Sequence, residues 1–268
     1  LHKAIRRQRQ MCIRDRLCTL PSLVGVIIFS VLPLCRVVYY SFIKSQFVRK
    51  FVGLNNYIST LNNKYFQLAI KNSFLLILHG VIPLVILDII LALIFSNQVK
   101  KYGWIQLFYI LPLAIPTAAI AVIWKKLFQN LESCVVIDIL FIWKNLGLGL
   151  LLIMAVFLTI PDEIYEAARL DGAEKLSIIF KISIPMAAPM ILFTFLIGII
   201  NSYKIFKESY LYYGSSYPPE YAYTLQYYMN NNYSKLNYQS LATSAIFTTA
   251  ICMFCVAVIM RLIRRYEY

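Results

Sequence analysis

The sequence is poor in charged residues and above all in acids. Charged side chains make up 14% of its 268 residues, whereas soluble domains carry about 25%. Its 12 Asp and Glu are outnumbered by 26 Lys and Arg, and 60% of the chain is hydrophobic. This composition argues against a soluble globular protein and against a disordered one. Membrane proteins keep such an excess of Lys and Arg in their cytoplasmic loops, so we expect no nucleic acid partner.

Metal-binding and nucleotide-binding motifs are missing as well. The chain has two His, and its C-x-x-C pair, Cys252 and Cys255, stands alone inside an apolar run. Zinc needs about four ligands, so we predict no metal site. There is no G-x-x-x-x-G-K-[ST] phosphate loop, and the longest stretches outside the apolar runs, residues 41–71 and 204–240, are too small for an ATPase domain. We therefore expect a chain that is not an enzyme and binds no cofactor itself.

Long apolar runs are what the sequence has instead. A helix needs about 20 mostly apolar residues to cross the hydrocarbon core of a bilayer. Six runs qualify, at residues 17–40, 72–95, 104–124, 146–160, 184–203 and 241–260. The fourth is short unless it begins near Phe141 and takes in Lys144. We therefore predict an all-α integral membrane protein with six transmembrane helices.

The distribution of Lys and Arg predicts the orientation of these helices. With both termini inside, the inner segments hold 14 Lys and Arg and the outer segments hold 11, which favours this arrangement. Residues 1–16 then form a basic cytoplasmic segment, of which residues 11–16 (MCIRDR) resemble translated sequencing-adapter sequence. Residues 17–268 form the transmembrane domain. The first apolar run is too long for a signal peptide and lacks a clear cleavage site, which indicates a retained helix.

Two titratable residues interrupt the second run. A charged group at the centre of a bilayer costs about 2.5–3.5 kcal/mol, so such residues face a bundle interior or water. Asp88 and His79 therefore belong either to a solute or proton pathway or to a contact with a neighbouring helix. Because nine positions separate them, they project to opposite sides of a helix, which argues against a shared proton relay.

The segment between the fourth and fifth runs, residues 161–183, has a different character. Asp162 and Glu163 follow Pro161, which is typical of a helix start, and Asp171-Gly172 is a turn dipeptide. Helical spacing then returns over residues 173–182. An amphipathic hairpin on the lipid headgroups is one interpretation, but its five acids are poorly placed against anionic lipid. An apolar face beside these acids favours a protein partner.

This segment resembles a known family. The spacing of Glu166-Ala167-Ala168, Gly172 and Ile182-x-Ile184-Pro185 resembles the EAA loop of permease subunits in binding-protein-dependent ABC importers, with Ile184 where that family has Leu. The form Glu-Ala-Ala-x-x-Asp-Gly-Ala is typical of the carbohydrate branch. Supporting matches lie at residues 20–42, 108–124 and 143–147, so the resemblance covers most of the chain.

The resemblance implies a type I ABC importer permease fold in a bacterial-type inner membrane. The loop would be a cytoplasmic coupling helix that docks on a separate ATPase, where Glu166 matches a position that pairs with a basic residue. The residues expected to couple to that ATPase are Glu166, Ala167, Ala168, Asp171, Gly172, Ala173, Ile182 and Pro185. The other expected partners are a second permease subunit, commonly in a heterodimer, an extracytoplasmic solute-binding protein and membrane lipid.

The solute expected from the resemblance is a sugar or a sugar-like molecule, moved by alternating access. Candidate residues of its path are Asn201, Ser202, Tyr203 and Asp88. The first three could equally form the interfacial end of the fifth helix, where Tyr is enriched. Another solute, such as a polyamine, phosphate, an amino acid or a metal, stays open, as does a proton-coupled carrier that uses Asp88. The Tyr-rich stretch at residues 210–238 could contact sugar or form a loop against a partner.

Overall fold

The computed structural model describes residues 19–96, 105–128 and 134–264, and helices dominate all three ranges. The extended pairing present in these ranges is one isolated bridge between Ile43 and Phe51. The predicted all-α class is therefore confirmed. The predicted basic segment at residues 1–16 lies outside the described residues, as do Lys100, Lys101 and Arg265 of the charge count.

Ten helices in the described ranges are numbered here in chain order. They are α1 (Thr19–Ser41), α2 (Asn55–Leu61), α3 (Lys64–Ser96), α4 (Ile105–Ala114), α5 (Thr117–Leu127), α6 (Cys134–Thr159), α7 (Asp162–Leu170), α8 (Lys175–Tyr213), α9 (Leu225–Ser234) and α10 (Tyr238–Ile263). One π-helical turn lies in each of three long helices, at Ile27–Val31 in α1, Ile77–Val81 in α3 and Ile179–Ser183 in α8.

Five of these helices, α1, α3, α6, α8 and α10, are long and apolar enough to cross a membrane. They contain five of the six predicted spans, apart from residue 160 and from residues 17 and 18, which lie outside the described residues, and they extend several of these spans. The fourth span begins as early as Cys134 and so takes in Lys144, as its length required. The fifth span continues past residue 203 to Tyr213, with a turn at Ile205 between Ile184–Lys204 and Phe206–Tyr213.

The third predicted span, residues 104–124, is two helices rather than one straight helix. Phe108–Ala114 of α4 and Thr117–Leu127 of α5 meet at an angle of 111°. The backbone of Pro116 is extended, with ψ of 136°, and proline has no N–H to continue the hydrogen bonds of α4. Counted as one broken span, the pair brings the total to six.

Contacts divide the chain into two compact units, which are described separately. The first comprises residues up to Leu61 together with Asn232–Phe247. Its loop after α1 is fixed by Asn56, whose amide donates to the carbonyls of Ser41 and Ile43. Within this unit the hydroxyls of Thr60 and Thr243 share a buried hydrogen bond of 2.9 Å.

The second unit, Asn62–Asn231 with residues from Thr248 onward, contains the apolar core formed mainly by α3, α6 and α8. Small residues allow these helices to approach closely. A Cβ at Gly198 of α8 would lie 2.6 Å from a methyl carbon of Val81 in α3. Such close packing of small residues is typical of helices in membranes. The packed helices α3, α6 and α8 position the sites described next.

Candidate functional site

The first candidate site is the segment from α7 to the start of α8. Asp162 and Glu163 occupy the first turn of α7, where negative charge complements the helix dipole. The helix ends in a Schellman motif: the N–H of Ala173 donates to the carbonyl of Ala168 over 2.9 Å, and the N–H of Gly172 to that of Arg169 over 3.1 Å. The predicted helix start and the predicted break at Gly172 are therefore confirmed.

Gly172 is required by the backbone at this turn. Its φ of +79° lies in the left-handed region, which costs residues with a Cβ about 1–2 kcal/mol. Nothing lies within 4 Å of the position that its Cβ would occupy. The demand for glycine therefore comes from backbone conformation and not from packing.

The segment presents acids together with large apolar side chains to its surroundings. Glu166 and Ala167 are exposed and Ala168 is half-buried. Leu170 is 89% exposed, and Leu176 and Phe180 are each 65% exposed. Exposed apolar side chains beside charge are typical of surfaces that contact another protein, a ligand or a membrane.

The remaining residues predicted for coupling lie at the base of this segment. Asp171 is the exposed C-cap of α7, Ile182 is half-buried in the π-helical turn of α8, and Pro185 is exposed at the start of Ile184–Lys204. The hydroxyls of Tyr165 and Ser183 are 3.3 Å apart, which ties α7 to that turn. The segment is thus anchored to the long helix α8.

The second candidate site is a cavity of about 530 Å³ in the second unit. Its wall is formed by Leu113, Thr117, Phe141, Lys144, Asn145, Asn201, Tyr203, Lys204, Ile205, Phe206, Lys207, Glu208 and Gln226. Two of the four residues predicted for a solute path, Asn201 and Tyr203, lie in this wall. A cavity of this size, with amide and charged groups in a partly apolar wall, could hold a small hydrophilic molecule.

The amides of the wall are held in place by hydrogen bonds. Asn201 of α8 donates to the side-chain oxygen of Asn145 in α6 over 2.9 Å, and Asn145 donates to the carbonyl of Phe141 over 2.8 Å. The hydroxyl of Tyr203 is hydrogen-bonded to the thiol of Cys252. These bonds fix polar groups of α6 and α8 against one another at the cavity.

An ion pair that the sequence did not reveal also lies in the wall. The ammonium of Lys144 contacts the carboxylate of Glu208, and the hydroxyl of Thr117 donates to the same carboxylate oxygen over 3.2 Å. The side chain of Glu208 is 4% exposed and that of Lys144 is 22% exposed. The available signal was weak: two opposite charges near the ends of neighbouring apolar runs.

The other two residues predicted for the path lie elsewhere. Ser202 is buried, and its hydroxyl donates to the carbonyl of Ile199 in its own helix over 2.7 Å. Asp88 is 1% exposed and lies against Gly149 of α6, beside a void of only about 10 Å³ that Asn145 and Asn201 also line. Asp88 therefore has the helix contact that was one of its two interpretations.

The Tyr-rich stretch, as far as it belongs to the second unit, forms an aromatic core. Tyr227 is fully buried, its ring packs edge-on against Phe206, and its hydroxyl lies 3.1 Å from that of Ser209. Burial raises the pKa of Tyr227 to about 12. Tyr223 and Tyr228 are buried as well. These rings support the end of α8 and offer little surface to a sugar.

Within the described ranges, no group of three or more His, Cys, Asp or Glu side chains is placed so that it could hold a metal ion. Cys252 and Cys255 are half-buried on α10.

Comparisons with known proteins agree with this architecture. The arabinooligosaccharides transport system permease protein AraP of Bacillus subtilis is 25% identical over 239 residues, covering 80% of this chain and 76% of that protein. The sulfoquinovosyl glycerol transport system permease protein SmoG of Agrobacterium fabrum is 26% identical over 275 residues, covering 91% and 88%.

A solved structure shows the same fold. One chain of a bacterial ABC transporter involved in the import of the acidic polysaccharide alginate superposes with a TM-score of 0.77 at 21% identity, covering 97% of this chain and 99% of that one. The predicted ABC importer permease fold is thereby confirmed. Residues 85–266, more than half of the chain, match one family in particular. The chain belongs to the binding-protein-dependent transport system inner membrane components, a family of multi-pass membrane permeases.

Proposed function

We propose that this chain is the membrane-spanning subunit of an ATP-driven importer that moves a sugar or a sugar-like solute into the cytoplasm. The observation that carries the proposal is the cavity of about 530 Å³ whose wall combines amide, charged and aromatic groups between α6 and α8. Amide groups match the hydroxyls of a sugar, and aromatic rings match its C–H faces. The relatives AraP and SmoG carry the names of sugar-containing solutes.

In this proposal the α7 segment transmits the work of a separate ATPase. Glu166 offers a charge to a basic cleft on that subunit, and Leu170, Leu176 and Phe180 offer apolar contact. When two ATPase subunits bind ATP and close on each other, they move α7. Helix α8 moves with α7 because the hydroxyls of Tyr165 and Ser183 connect the two helices. The cavity opens alternately to the two sides of the membrane. The energy comes from the partner, and this chain serves as a transport subunit that binds no ATP.

Other solutes and mechanisms receive less support from the cavity. A polyamine would find one carboxylate in the wall, that of Glu208, and this carboxylate is already paired with Lys144. A proton-coupled carrier that uses Asp88 needs that side chain to reach the solute path, but Asp88 is 1% exposed beside a void of about 10 Å³. An anionic solute is the remaining competitor for the cavity.

The proposed assembly contains an ATP-binding subunit, a second permease and an extracytoplasmic solute-binding protein. Purification of the tagged chain from its native membrane tests it. We expect all three partners to co-purify, and reconstitution of this complex to give ATP-dependent uptake of a sugar. Uptake of a labelled sugar that proceeds without an ATPase, driven by a proton gradient, would contradict the proposal.

The proposed orientation places both termini and the α7 segment in the cytoplasm. The split of 14 to 11 in Lys and Arg supports it. In a variant without native Cys, a Cys introduced at Ser177 should react with an impermeant maleimide in inside-out vesicles and not in intact cells. A Cys at Ser215, in the loop after α8, is the matched control and should show the reverse pattern. Labelling of the Ser177 position from outside would overturn the orientation.

A further inference from the structure

The ion pair between Lys144 and Glu208 has a position that stability alone does not explain. Lys144 lies in the long apolar helix α6 and Glu208 in Phe206–Tyr213 at the end of α8, and the pair lines the cavity. Removing two charges from water costs more than their attraction commonly returns, so an apolar pair at such a place is often as stable or more stable. Ionisable residues inside membrane helices mark solute or ion pathways. The pair is therefore a candidate for contact with the solute.

Hydrogen-bonding capacity at the pair is not used up. One oxygen of Glu208, Oε1, receives both Lys144 and Thr117, whereas its Oε2 is buried and has no partner among the described residues. A carboxylate accepts about four hydrogen bonds, and an ammonium donates three. Asn201, next to the pair, spends one N–H on Asn145 and keeps its carbonyl oxygen for another donor. Because Oε2 is buried, the unused acceptor that the wall offers is the carbonyl oxygen of Asn201, which lies beside the positively charged donor Lys144.

A hydroxyl is the group that fits this combination. It donates one hydrogen bond and accepts others, so neighbouring hydroxyls can donate to Asn201 and accept from Lys144. An ionised carboxylate has no proton to donate to Asn201, and it meets the negative charge of Glu208. The other two charged residues of the wall, Lys204 and Lys207, are exposed, where water and salt screen them. Tyr203 and Phe206 add half-buried rings to the same wall.

Resting on the proposed function, we propose that the Lys144–Glu208 pair is a subsite that selects neutral, polyhydroxylated solutes over acidic ones. Because the two charges cancel, the subsite binds hydroxyl groups through hydrogen bonds without favouring a charged solute. Removal of either charge leaves the other uncompensated in the wall of the cavity. The preference between acidic and neutral solutes then changes in a direction set by the remaining charge.

The test uses the complete transporter in proteoliposomes, with its solute-binding protein, and a mixture of two probes. These are partial hydrolysates of arabinan, which are neutral, and of polygalacturonate, which are acidic. Mass spectrometry of the vesicle contents gives the ratio of acidic to neutral uptake. All variants share one binding protein, so its own preference cancels when each ratio is divided by that of the unsubstituted complex.

We expect Glu208→Gln to raise the acidic-to-neutral ratio about tenfold and Lys144→Gln to lower it. Lys126→Gln and Glu220→Gln change the same charges outside the cavity wall and should leave the ratio unaltered. Equal loss of both probes in the two pair variants, with no change of ratio, would mean a purely structural pair and overturn the subsite.

Uptake of neither probe by an assembled complex with ATPase activity counts against the proposed sugar function, and so is distinct from failure of the subsite. If a Gln variant does not assemble, Glu208→Asp keeps the charge and withdraws the carboxylate by one methylene. We expect Glu208→Asp to assemble and to raise the KM for neutral oligosaccharides several-fold. An unchanged KM would overturn the subsite.

Discussion

The carboxylate of Asp88 in α3 occupies the space in which a side chain at position 149 of α6 would begin. A Cβ built on Gly149 overlaps the Oδ2 atom of Asp88, and both residues belong to the packed interface of α3 with α6. Because Gly149 has no side chain, there is room for a buried carboxyl group between these two apolar helices. The pairing explains how an acid is accommodated at this depth without opening to the cavity.

The first prediction follows from this overlap. Gly149→Ala should destabilise the protein by about 1–3 kcal/mol, because overpacking forces the helices apart or Asp88 off its rotamer. The measurement is the apparent midpoint of thermal denaturation in detergent. In the double variant Asp88→Ala/Gly149→Ala the midpoint should fall by less than the sum of the falls in the two single variants, because the two side chains would occupy the same space.

Gly25 supplies the control for this prediction. It also lies in a long helix, but no atom lies within 4 Å of its would-be Cβ. Gly25→Ala should therefore leave the midpoint unchanged or raise it slightly. Additive losses in the Asp88 and Gly149 double variant would contradict the proposed overlap.

The second prediction concerns the turn after α7. Gly172→Val should impair ATP-driven uptake, since a β-branched residue resists a φ of +79°. Gly172→Asn should retain most uptake, because Asn tolerates the left-handed region and nothing lies within 4 Å to clash with it. The measurement is uptake by membranes that contain equal amounts of each variant. Equal uptake by the Val and Asn variants would show that the turn does not matter for coupling.

The third prediction concerns the charge on the exposed face of α7. Glu166→Ala should weaken the association with the ATPase, since loss of one partner of a desolvated charge pair costs about 2–5 kcal/mol. Co-purification of the ATPase with the tagged chain measures this, and insertion into the membrane should be unaffected. Glu174→Ala removes an equally exposed acid that lies outside α7 and is the matched control. If both variants retain the ATPase equally, the contact does not run through Glu166.

Local signals in the sequence predicted local structure well. The start of α7 at Asp162 and its end at Gly172 follow from dipole complementarity and from the conformational freedom of glycine, which act within a few residues. The apolar runs predicted the spans because the bilayer sets their length. The bend of 111° at Pro116 was not predicted, since proline is tolerated inside membrane helices and its effect depends on what packs around it.

Long-range pairing was beyond the sequence pattern. The meeting of Lys144 with Glu208 depends on the relative register of α6 and α8, and neither helix carries that information alone. The same holds for the burial of Tyr227 against Phe206, which turned a stretch with the composition of a sugar-binding loop into an aromatic core. Composition indicates what side chains can bind, and only packing determines which of them are available.

The final prediction separates the cavity from the interfacial end of α8. Asn201 lies in the cavity wall and donates to Asn145, whereas its neighbour Ser202 is buried and bonds back to its own helix. Asn201→Ala should raise the KM for the solute several-fold and alter the preference among solutes, because it removes one acceptor and frees the amide of Asn145 to move. Ser202→Ala, at the adjacent position, should leave both unchanged. ATPase activity measured in the same complexes should be retained in both variants, since neither residue lies near α7. Wild-type preference and rate in the Asn201 variant would assign that residue to the helix interface, and the solute path would then have to follow other residues of the cavity wall, among them Leu113 of α4 and Thr117 of α5.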